Sequence, residues 1–457
     1  MLGAKLPIAK PLKVSRILHA GYIFEFEETK IVFDPIFENP FSKNCFAFPE
    51  VKFDLAEIKK LHFDAIFISH YHDDHCSFKS LSLLNRQTPI YVYCIFDELF
   101  AMLSELGFKN IHSLKLDKSI LVGPFEIIPR KALDDDVDCV IQIQVADYQI
   151  LNMVDAWLDP DSLDLLAKLS PWDLVLWPFQ TLREIDVLCP RRALPAQTNL
   201  PPEWIEQLKI LNPRIIVPSS CQFQFETWSW YNHFLFPITY AQFTNEIKGA
   251  LAYTNIVMLN PSVTISLIAN SFTPASPLNW ISPIGNQDVD FKFYPEQKAL
   301  PSAEIAKNFS ALELGQIERV FKYCQIEILE RFSSLDSPSD SFFKNKRIWR
   351  LSIYDHLGSA HNFYYEIQNS KITKANSDEL PLSWTTELPI SKLYGALEEG
   401  ETLSSMYVQI NSQTFSVEIE KELDGADLLE DPLLRCLFNG VFGAYQKCFL
   451  RTARALQ

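Results

Sequence analysis

Apolar residues in the first half of the chain fall into short runs, which alternate between strand-like and helix-like spacing. Strands place every second residue, or a short continuous run, on a buried surface, whereas helices repeat apolar positions every three or four residues. The pattern predicts strands at 16–26, 30–34, 63–69, 89–94, 125–129, 139–145, 149–154, 173–179 and 214–218, and helices at 80–85, 96–106, 162–169 and 202–211. Hairpins mixed with helices predict a sandwich of sheets with helices on the outside.

The pattern changes beyond about residue 245. The segment 261–302 is rich in Pro, Ser and Asn, which predicts an irregular connection or a lid-like loop. After it, the spacing predicts a helix at 310–335, strands at 347–354, 362–367, 405–410 and 413–419, and a helical segment at 432–456. We therefore predict a first domain at 1–260 and a smaller α+β domain at 303–457, without an obvious catalytic constellation in the second.

Composition and charge narrow the classes of function. Hydrophobic residues make up 47% of the 457 positions, which is enough for a large core, and the net charge of −16 disfavours a nucleic-acid partner. No window has the length and apolarity of a membrane span, and the first residues lack the apolar core of a signal peptide. The nine cysteines are scattered singly, which is typical of free thiols in a reducing compartment. We expect a cytoplasmic protein with neither nucleic-acid nor membrane partners.

The strongest chemical signal is the segment His70-Tyr71-His72-Asp73-Asp74-His75, which follows the apolar run 63–68. Imidazole and carboxylate groups are the usual ligands of zinc and iron, and a strand that ends at His70 would direct them at one point. The alternative is a solvated polar turn, but such a cluster beside a buried strand is costly without a metal or partners. The spacing H-x-H-x-D-H resembles that of the metallo-β-lactamase superfamily. This resemblance implies an α+β protein: an αββα sandwich followed by the smaller C-terminal domain.

The superfamily resemblance also implies the remaining metal ligands. Its ligand set in this chain would be His70, His72, Asp74, His75, Asp155 and Asp134. The first two histidines would hold one metal ion with Asp134 as a possible third ligand, and Asp74 and His75 would hold a second, which Asp155 bridges or completes. The two candidate catalytic residues are Asp74 and Asp155, and Asp74 could act as acid or base in a mononuclear site.

Two histidines that are usual in the superfamily are absent. The loop before the predicted hairpin has Asp134, either as an oxygen ligand or as part of a solvated charge run, and the strand ending at Pro218 is followed by Ser219-Ser220-Cys221.

Two other polar residues are expected near the site. His19 lies at a turn by the first hairpin, where a structural hydrogen bond is its expected role, and Asp34 ends a strand and could orient a ligand histidine.

A narrower resemblance extends over most of the chain. It is similar to the part of CMP-N-acetylneuraminate hydroxylase that follows the Rieske domain, through His70 to His75, Ser80-Leu81, Pro89 to Val92, Val137 to Ile141, Ile150 to Asp155 and Pro213 to Ile215. That family has a histidine in place of Asp134, and it also lacks one after the strand that ends here at Pro218. The resemblance implies a non-haem iron site with two irons that activates oxygen.

Three functions are consistent with these residues. The first is an iron oxygenase that hydroxylates a small-molecule or carrier-bound substrate. Because the chain has no C-x-H…C-x-x-H Rieske pattern, its electrons would come from a separate reductase, a ferredoxin or the substrate. The second is a zinc or manganese hydrolase of an ester, lactone or phosphoester, in which the metal activates a water. The third is a degenerate metal-binding protein without turnover, which the loss of the histidine at Asp134 makes credible.

Overall fold

The computed structural model describes residues 10–179, 184–268, 271–294, 297–336, 338, 341–375, 381–438 and 444–455. The strands are β1 (Leu12–Arg16), β2 (Tyr22–Phe26), β3 (Thr29–Phe33), β4 (Phe46–Ala47), β5 (Val51–Phe53), β6 (Ala65–Ile68), β7 (Ile90–Val92), β8 (Ile111–Ser113), β9 (Ile120–Val122), β10 (Phe125–Lys131), β11 (Cys139–Val145), β12 (Tyr148–Asn152), β13 (Leu174–Pro178), β14 (Ile215–Ser219), β15 (Phe223–Gln224), β16 (Asn255–Ile256), β17 (Thr264–Ile268), β18 (Ser271–Ala275), β19 (Ile281–Pro283), β20 (Arg347–Tyr354), β21 (Ala360–Gln368), β22 (Lys371–Lys374), β23 (Trp384–Pro389) and β24 (Gln409–Ile410). The α-helices are α1 (Leu55–Ile58), α2 (Phe78–Leu81), α3 (Asp97–Glu105), α4 (Pro160–Ala167), α5 (Pro202–Leu211), α6 (Tyr231–Leu235), α7 (Tyr240–Ala250), α8 (Ser302–Ala306), α9 (Leu314–Lys322), α10 (Ile328–Ser333), α11 (Ile390–Glu398), α12 (Val417–Leu423), α13 (Pro432–Phe438) and α14 (Ala444–Ala455).

Two large sheets make up the first part of the protein. One has eight strands in the order β18-β17-β1-β2-β3-β6-β7-β8, and the other has seven in the order β16-β14-β13-β12-β11-β10-β9. Strands β3, β6, β7 and β8 run parallel, so their carboxyl ends lie at the same edge of the first sheet. In the second sheet β11 and β12 form an antiparallel hairpin. The loops that follow β3, β6 and β12 carry the candidate site.

The two sheets pack face to face through an apolar layer. Phe24, Phe33 and Phe67 of the first sheet and Ile141 and Ile143 of the second lie in one buried cluster. The opposite faces pack against helices in a second cluster, which contains residues of α3, α4 and α5. Burying apolar residues on both faces of each sheet is what the continuously apolar strands of the sequence require. The predicted αββα sandwich is confirmed.

The C-terminal part is built on a five-stranded sheet in the order β22-β21-β20-β23-β24. The sequence pattern does not predict β23, although this strand pairs with β20 and is buried throughout. The strand lacks apolar alternation because polar residues are buried in it; Thr386, for example, accepts a hydrogen bond from the Trp349 indole at 2.9 Å. The predicted strand at 413–419 is wrong, because Ser416 caps a helix, α12, that begins at Val417.

The segment 261–302 is more regular than its composition suggests. It contains β17 and β18, which extend the first sheet beyond β1, and β19, which pairs with β5. Proline therefore marks edge strands here rather than an unstructured linker, since Pro274 and Pro283 both lie in outer strands. The interpretation of this segment as an irregular connection is corrected accordingly, while the domain limits stay a prediction.

Polar contacts join the two parts, some of them buried and others at the surface. The Asn44 side-chain amide donates to the Ser404 carbonyl oxygen at 3.1 Å and to the Tyr407 hydroxyl at 3.0 Å, and Asn44 is only 1% exposed. Arg191 binds both carboxylate oxygens of Glu420. No helix in the described ranges has both the length and the apolar character that crossing a bilayer requires.

Candidate metal centre

The centre lies where β6 ends. Strand β6 is flanked by β3 and β7 and is buried at all four positions, so it fixes the start of the following turn rigidly. The turn folds tightly, because the His75 and Cys76 amides both donate to the His72 carbonyl oxygen. Three non-glycine residues at the site have left-handed backbone conformations: His19 (φ 55°), Asp34 (φ 40°) and Val154 (φ 57°). Such strain is typical of functional sites.

One group of metal-binding atoms comes from His70, His72 and Asp74, and its atoms lie within 4.8 Å of one another. His70 Nε2 and His72 Nδ1 are 3.0 Å apart. The other nitrogen of His70 lies 3.3 Å from an oxygen of Asp138 and 3.9 Å from one of Asp155. His70, Asp138 and Asp155 form a second such group.

A third group joins four residues from three separate segments: His19, Asp74, His75 and Asp155. His19 Nε2 lies 3.3 Å from His75 Nε2 and 3.3 Å from an Asp74 oxygen. His75 Nε2 lies 3.2 Å from an Asp155 oxygen and 3.6 Å from Asp74. Ligands about 2.1 Å from a tetrahedral ion are separated by about 3.4 Å, so these spacings fit a metal ion.

Asp34 supports this group from behind. Its carboxylate lies 3.1 Å from His75 Nδ1, and it accepts hydrogen bonds from the Ser69 amide and hydroxyl, both at 2.7 Å. Both Asp34 and His75 are fully buried. A carboxylate in this position fixes the proton of the imidazole on Nδ1 and leaves Nε2 free to bind a metal ion. Asp34 thus lies where the sequence analysis expects a residue that orients a ligand.

Opposed charges dominate the electrostatics of the site. Burial disfavours the charged form of His75, but Asp155 and Asp74 outweigh that effect and raise its pKa well above the usual value. The pKa of His70 is lowered well below its usual value, chiefly by burial. Burial and the nearby charge of Asp155 raise the pKa of Asp138 to about 8. A bound cation would relieve this crowding of carboxylates, because it supplies the positive charge that they lack.

Unpaired buried atoms give a direct test of whether a metal fits. Among the described residues, His19 Nδ1, Asp138 Oδ1 and Asp155 Oδ1 are buried and have no hydrogen-bond partner. Leaving a buried polar atom unpaired costs about 1–3 kcal/mol, and such atoms in native proteins usually have an ion or water as partner. Two of the three are carboxylate oxygens at the positions that would face a metal. The residues therefore fit a metal centre.

The structure brings most, but not all, of the predicted ligands together. It brings together five of them: His70, His72, Asp74, His75 and Asp155. Asp134 is exposed and belongs to none of the metal-binding groups found among the described residues. Asp138 stands in its place, because the loop turns back on the Asp134 carbonyl, which accepts from the Asp138 amide at 2.8 Å. The expected position of Asp134 among these residues is therefore corrected, because Asp138 lies there instead.

His19 brings to the centre an imidazole that the predicted ligand set does not include. Arg16 is fully buried, and its guanidinium donates to the His19 carbonyl at 3.0 Å and to the Pro218 carbonyl at 2.6 Å, which ties the His19 turn to the loop after Pro218. In the loop itself, Cys221 lies 3.1 Å from the Tyr240 hydroxyl. The first histidine after Pro218 is His233, and its ring stacks on Phe293. His19 is near the site, as expected, but it lies among the possible ligands rather than in the purely structural role predicted for it.

Comparison with known proteins gives a likeness of fold only. No protein-family model matches the chain, and no curated protein matches it. Similar solved structures include Igni18, a metallo hydrolase from Ignicoccus hospitalis KIN4/I (17% identity, TM-score 0.40, 56% of this chain and 98% of that chain), and CmlA, a diiron β-hydroxylase from Streptomyces venezuelae (15%, 0.40, 58% and 55%). A third is the metallo-β-lactamase fold protein YhfI from Bacillus subtilis (14%, 0.40, 56% and 100%). These neighbours have the fold that the spacing of His70 to His75 predicts.

Proposed function

We propose that this protein is a metalloenzyme with two adjacent metal ions, which uses O2 to hydroxylate a small-molecule or carrier-bound substrate with electrons from an external donor. The observation that carries the two-metal part is that the three ligand groups share residues: Asp74 and Asp155 each belong to two groups, and so does His70. Carboxylates shared between neighbouring positions are suited to bridging two ions. A single-ion site would not need them.

The carboxylate content favours iron as the metal. Asp74, Asp138 and Asp155 give the centre three oxygen ligands beside its four histidines, His19, His70, His72 and His75. Sets of histidine and carboxylate ligands with open positions are typical of non-haem iron oxygenases. Iron bound here would supply the one-electron steps that O2 activation needs.

The chain's own residues provide access and proton handling. The side chains of Asp74 and Asp155 are each 28% exposed, so a substrate can reach the centre from solvent. Asp34 and Ser69, which are buried, keep the His75 ring oriented. In a centre with a single ion, Asp74, which contacts both His19 and His75, would be free to accept or donate a proton at the exposed side; with two ions it is a bridging ligand instead.

A second candidate function is supported by one specific observation. The group of His19, Asp74, His75 and Asp155 has the spacing of a tetrahedral ion, which is the geometry that zinc prefers. With zinc or manganese the centre would lower the pKa of a bound water and hydrolyse an ester, lactone or phosphoester. A degenerate metal-binding protein is the third reading, and it predicts a bound ion without turnover.

Metal analysis of the purified protein separates these functions. Near two equivalents of iron support the oxygenase, zinc supports the hydrolase, and no metal contradicts both. For the oxygenase, anaerobic reconstitution with Fe(II) followed by O2 should produce a charge-transfer absorption band. A colourless, oxygen-inert iron protein would refute it. The matched controls are His72→Ala, which should lose the band, and His62→Ala, an exposed histidine outside the centre, which should retain it.

A further inference from the structure

The end of β14 and the residues after it form a buried segment, 218–221, which we call the anchor segment. It contains no histidine or carboxylate, and it belongs to none of the metal-binding groups found among the described residues. The Ser219 carbonyl accepts from the Phe179 amide at 2.9 Å, and the Cys221 sulfur lies 3.1 Å from the Tyr240 hydroxyl. The anchor segment is therefore fixed on both sides by the core.

Arg16 attaches the His19 turn to the anchor segment. Its guanidinium donates to the His19 carbonyl at 3.0 Å and to the Pro218 carbonyl at 2.6 Å, and it lies 3.6 Å from the Cys221 sulfur. Arg16 is fully buried, and its described hydrogen bonds include none to a carboxylate. Burying such a charge is costly. The planar guanidinium, however, directs fixed donors at two carbonyl groups at once, which gives the arginine a geometric role here.

Ser220 attaches a second ligand-bearing turn to the same segment. Its hydroxyl donates to the carbonyl oxygen of Val154, the residue directly before Asp155. The amide of Val154 is held as well, because it donates to the Asn152 side chain at 3.1 Å. Both polar groups of the Val154 backbone are thus bound by side chains. The position of Asp155 follows from them.

The two attached turns have strained backbones. His19 (φ 55°) and Val154 (φ 57°) lie in the left-handed region, which residues with side chains seldom adopt. Such conformations persist only where the surrounding structure fixes them. The hydrogen bonds from Arg16 and Ser220 are contacts of this kind. Without them the turns would relax, and the metal-binding atoms of His19 and Asp155 would move.

We infer that Arg16 and Ser220 are positioning residues, which hold His19 and Asp155 so that both bind the same metal ion. These two ligands share a metal-binding group, whereas the group that contains His72 includes neither of them. The anchor segment thus controls one ion position without contributing a ligand to it. The inference rests on the part of the proposed function that places two metal ions in the centre. It does not depend on whether they serve oxygenation or hydrolysis.

Two neighbouring serines give the first test, because only one of them contacts a ligand-bearing turn. The Ser219 hydroxyl accepts from the Tyr22 hydroxyl at 3.1 Å, whereas the Ser220 hydroxyl donates to Val154. Zn(II) is titrated into the full chain in competition with a chromophoric chelator. Ser220→Ala should bind one of two zinc ions about tenfold more weakly or worse. Ser219→Ala should bind both ions as the original protein does.

Urea unfolding of the metal-free proteins separates a displaced ligand from a general loss of stability. Each serine variant loses one buried hydrogen bond, so we expect a similar decrease in the free energy of unfolding for both. Zinc affinities that fall equally in Ser219→Ala and Ser220→Ala, or that fall in neither, overturn the inference.

Arg16→Lys tests the other attachment, since it keeps the charge and removes the planar fork. It should weaken one zinc ion about tenfold or more. Arg86→Lys is the matched control, because Arg86 also donates to several carbonyl oxygens, among them those of Leu81 and Leu106, but to none in a ligand-bearing turn. It should bind both zinc ions normally. Full zinc affinity in Arg16→Lys overturns the inference, and the serine pair decides if this variant does not fold.

A double variant shows whether Arg16 acts through His19. His19→Ala alone and His19→Ala with Arg16→Lys should have the same zinc content and the same affinity for the ion that remains. A general loosening of the core would weaken the remaining ion further in the double variant. That result would overturn the role of Arg16 as a positioning residue.

The zinc content of the original protein distinguishes failure of this inference from failure of the proposed function. An original protein that binds fewer than two zinc ions refutes the centre with two metals, and this inference with it. If the original protein binds two zinc ions and both Ser220→Ala and Arg16→Lys bind them equally tightly, only this inference fails.

Discussion

Asp138 and Asp155 face each other across the β11–β12 hairpin, one residue before its first strand and three residues after its second. The last register pair at this end of the hairpin is Ile141 with Asn152, and each acid lies three residues beyond it along its own chain segment. Both carboxylates lie near His70 Nδ1, at 3.3 and 3.9 Å. The hairpin therefore delivers two acids to one ligand.

This pairing predicts that Asp138, and not Asp134, binds metal. Asp138→Asn should reduce metal affinity at least tenfold, because an amide oxygen is a weaker ligand than a carboxylate and carries no charge. Asp134→Asn, in the same loop, should bind metal as the unaltered protein does. Competition with a chromophoric chelator measures the metal affinity of both variants. A larger loss of affinity in Asp134→Asn than in Asp138→Asn would restore Asp134 as the ligand.

His19 and His72 should affect different metal ions, since they belong to different ligand groups. His19→Ala should lower the metal content from two equivalents to about one, and His72→Ala should also remove at least one. Their double variant should bind close to none. Elemental analysis after gel filtration gives these values, with His62→Ala as the control. Full occupancy in His19→Ala would return His19 to the structural role expected from the sequence.

Asp34→Asn should weaken metal binding without removing a ligand. The amide cannot accept from both Ser69 groups and still hold the His75 Nδ1 proton, so His75 loses its orientation. Loss of such a partner typically costs 10- to 100-fold in metal affinity or activity. Asp64→Asn, an exposed aspartate that accepts only the Lys30 amide among its described contacts, is the matched control. Competition with a chelator measures the metal affinity of both variants. Equal affinities in Asp34→Asn and Asp64→Asn would contradict this role of Asp34.

Asp431 should make stability depend on pH in the C-terminal part. It is fully buried, and burial raises its pKa to about 6, although it accepts hydrogen bonds from the Trp384 indole and from the Thr386 hydroxyl. A folded-state pKa above the unfolded value of about 3.9 means that the folded protein holds the proton more tightly. The stabilisation that Asp431 gives to the folded protein is then complete below pH 4, and it is lost as the pH rises through 6.

The size of that loss is roughly 3 kcal/mol, from about two pKa units at 1.36 kcal/mol each. Urea unfolding between pH 4 and 8 gives the free energy of unfolding of the original protein and of Asp431→Asn, which cannot titrate at this position. The loss is the change, over this pH range, in the difference between these two free energies. A difference that stays constant over this range would show that the carboxyl is ionised throughout in the folded state.

The sequence predicted the sandwich and most of the side chains that the structure brings together at the centre, and it did so for physical reasons. Buried strands such as 139–145 are continuously apolar, and the ligand turn is a contiguous motif, so both are visible locally. Asp138 and His19 were missed because their roles depend on pairing between distant segments. For Asp138 the hairpin register was available as a signal, since a two-residue turn at Ala146-Asp147 fixes the partner of every residue in β11.

His19 gave no such signal. Its position depends on Arg16, whose guanidinium joins carbonyl groups that are 199 residues apart in the chain, since 218 minus 19 is 199. Strand β23 was missed for a related reason, because Thr386 at its centre finds its partners, the Trp349 indole and the Asp431 carboxylate, only in the folded core. Long-range polar pairing of this kind leaves no periodic trace in a sequence.

The amide of Asn44 has a consequence for how the gene could be cut or recombined. Because it donates to Ser404 and Tyr407 across the boundary, a fragment that stops near residue 302 would lose both acceptors and expose a buried face of the first part to solvent. Such a fragment should aggregate on expression. The two halves would accordingly have to evolve as a single inseparable unit.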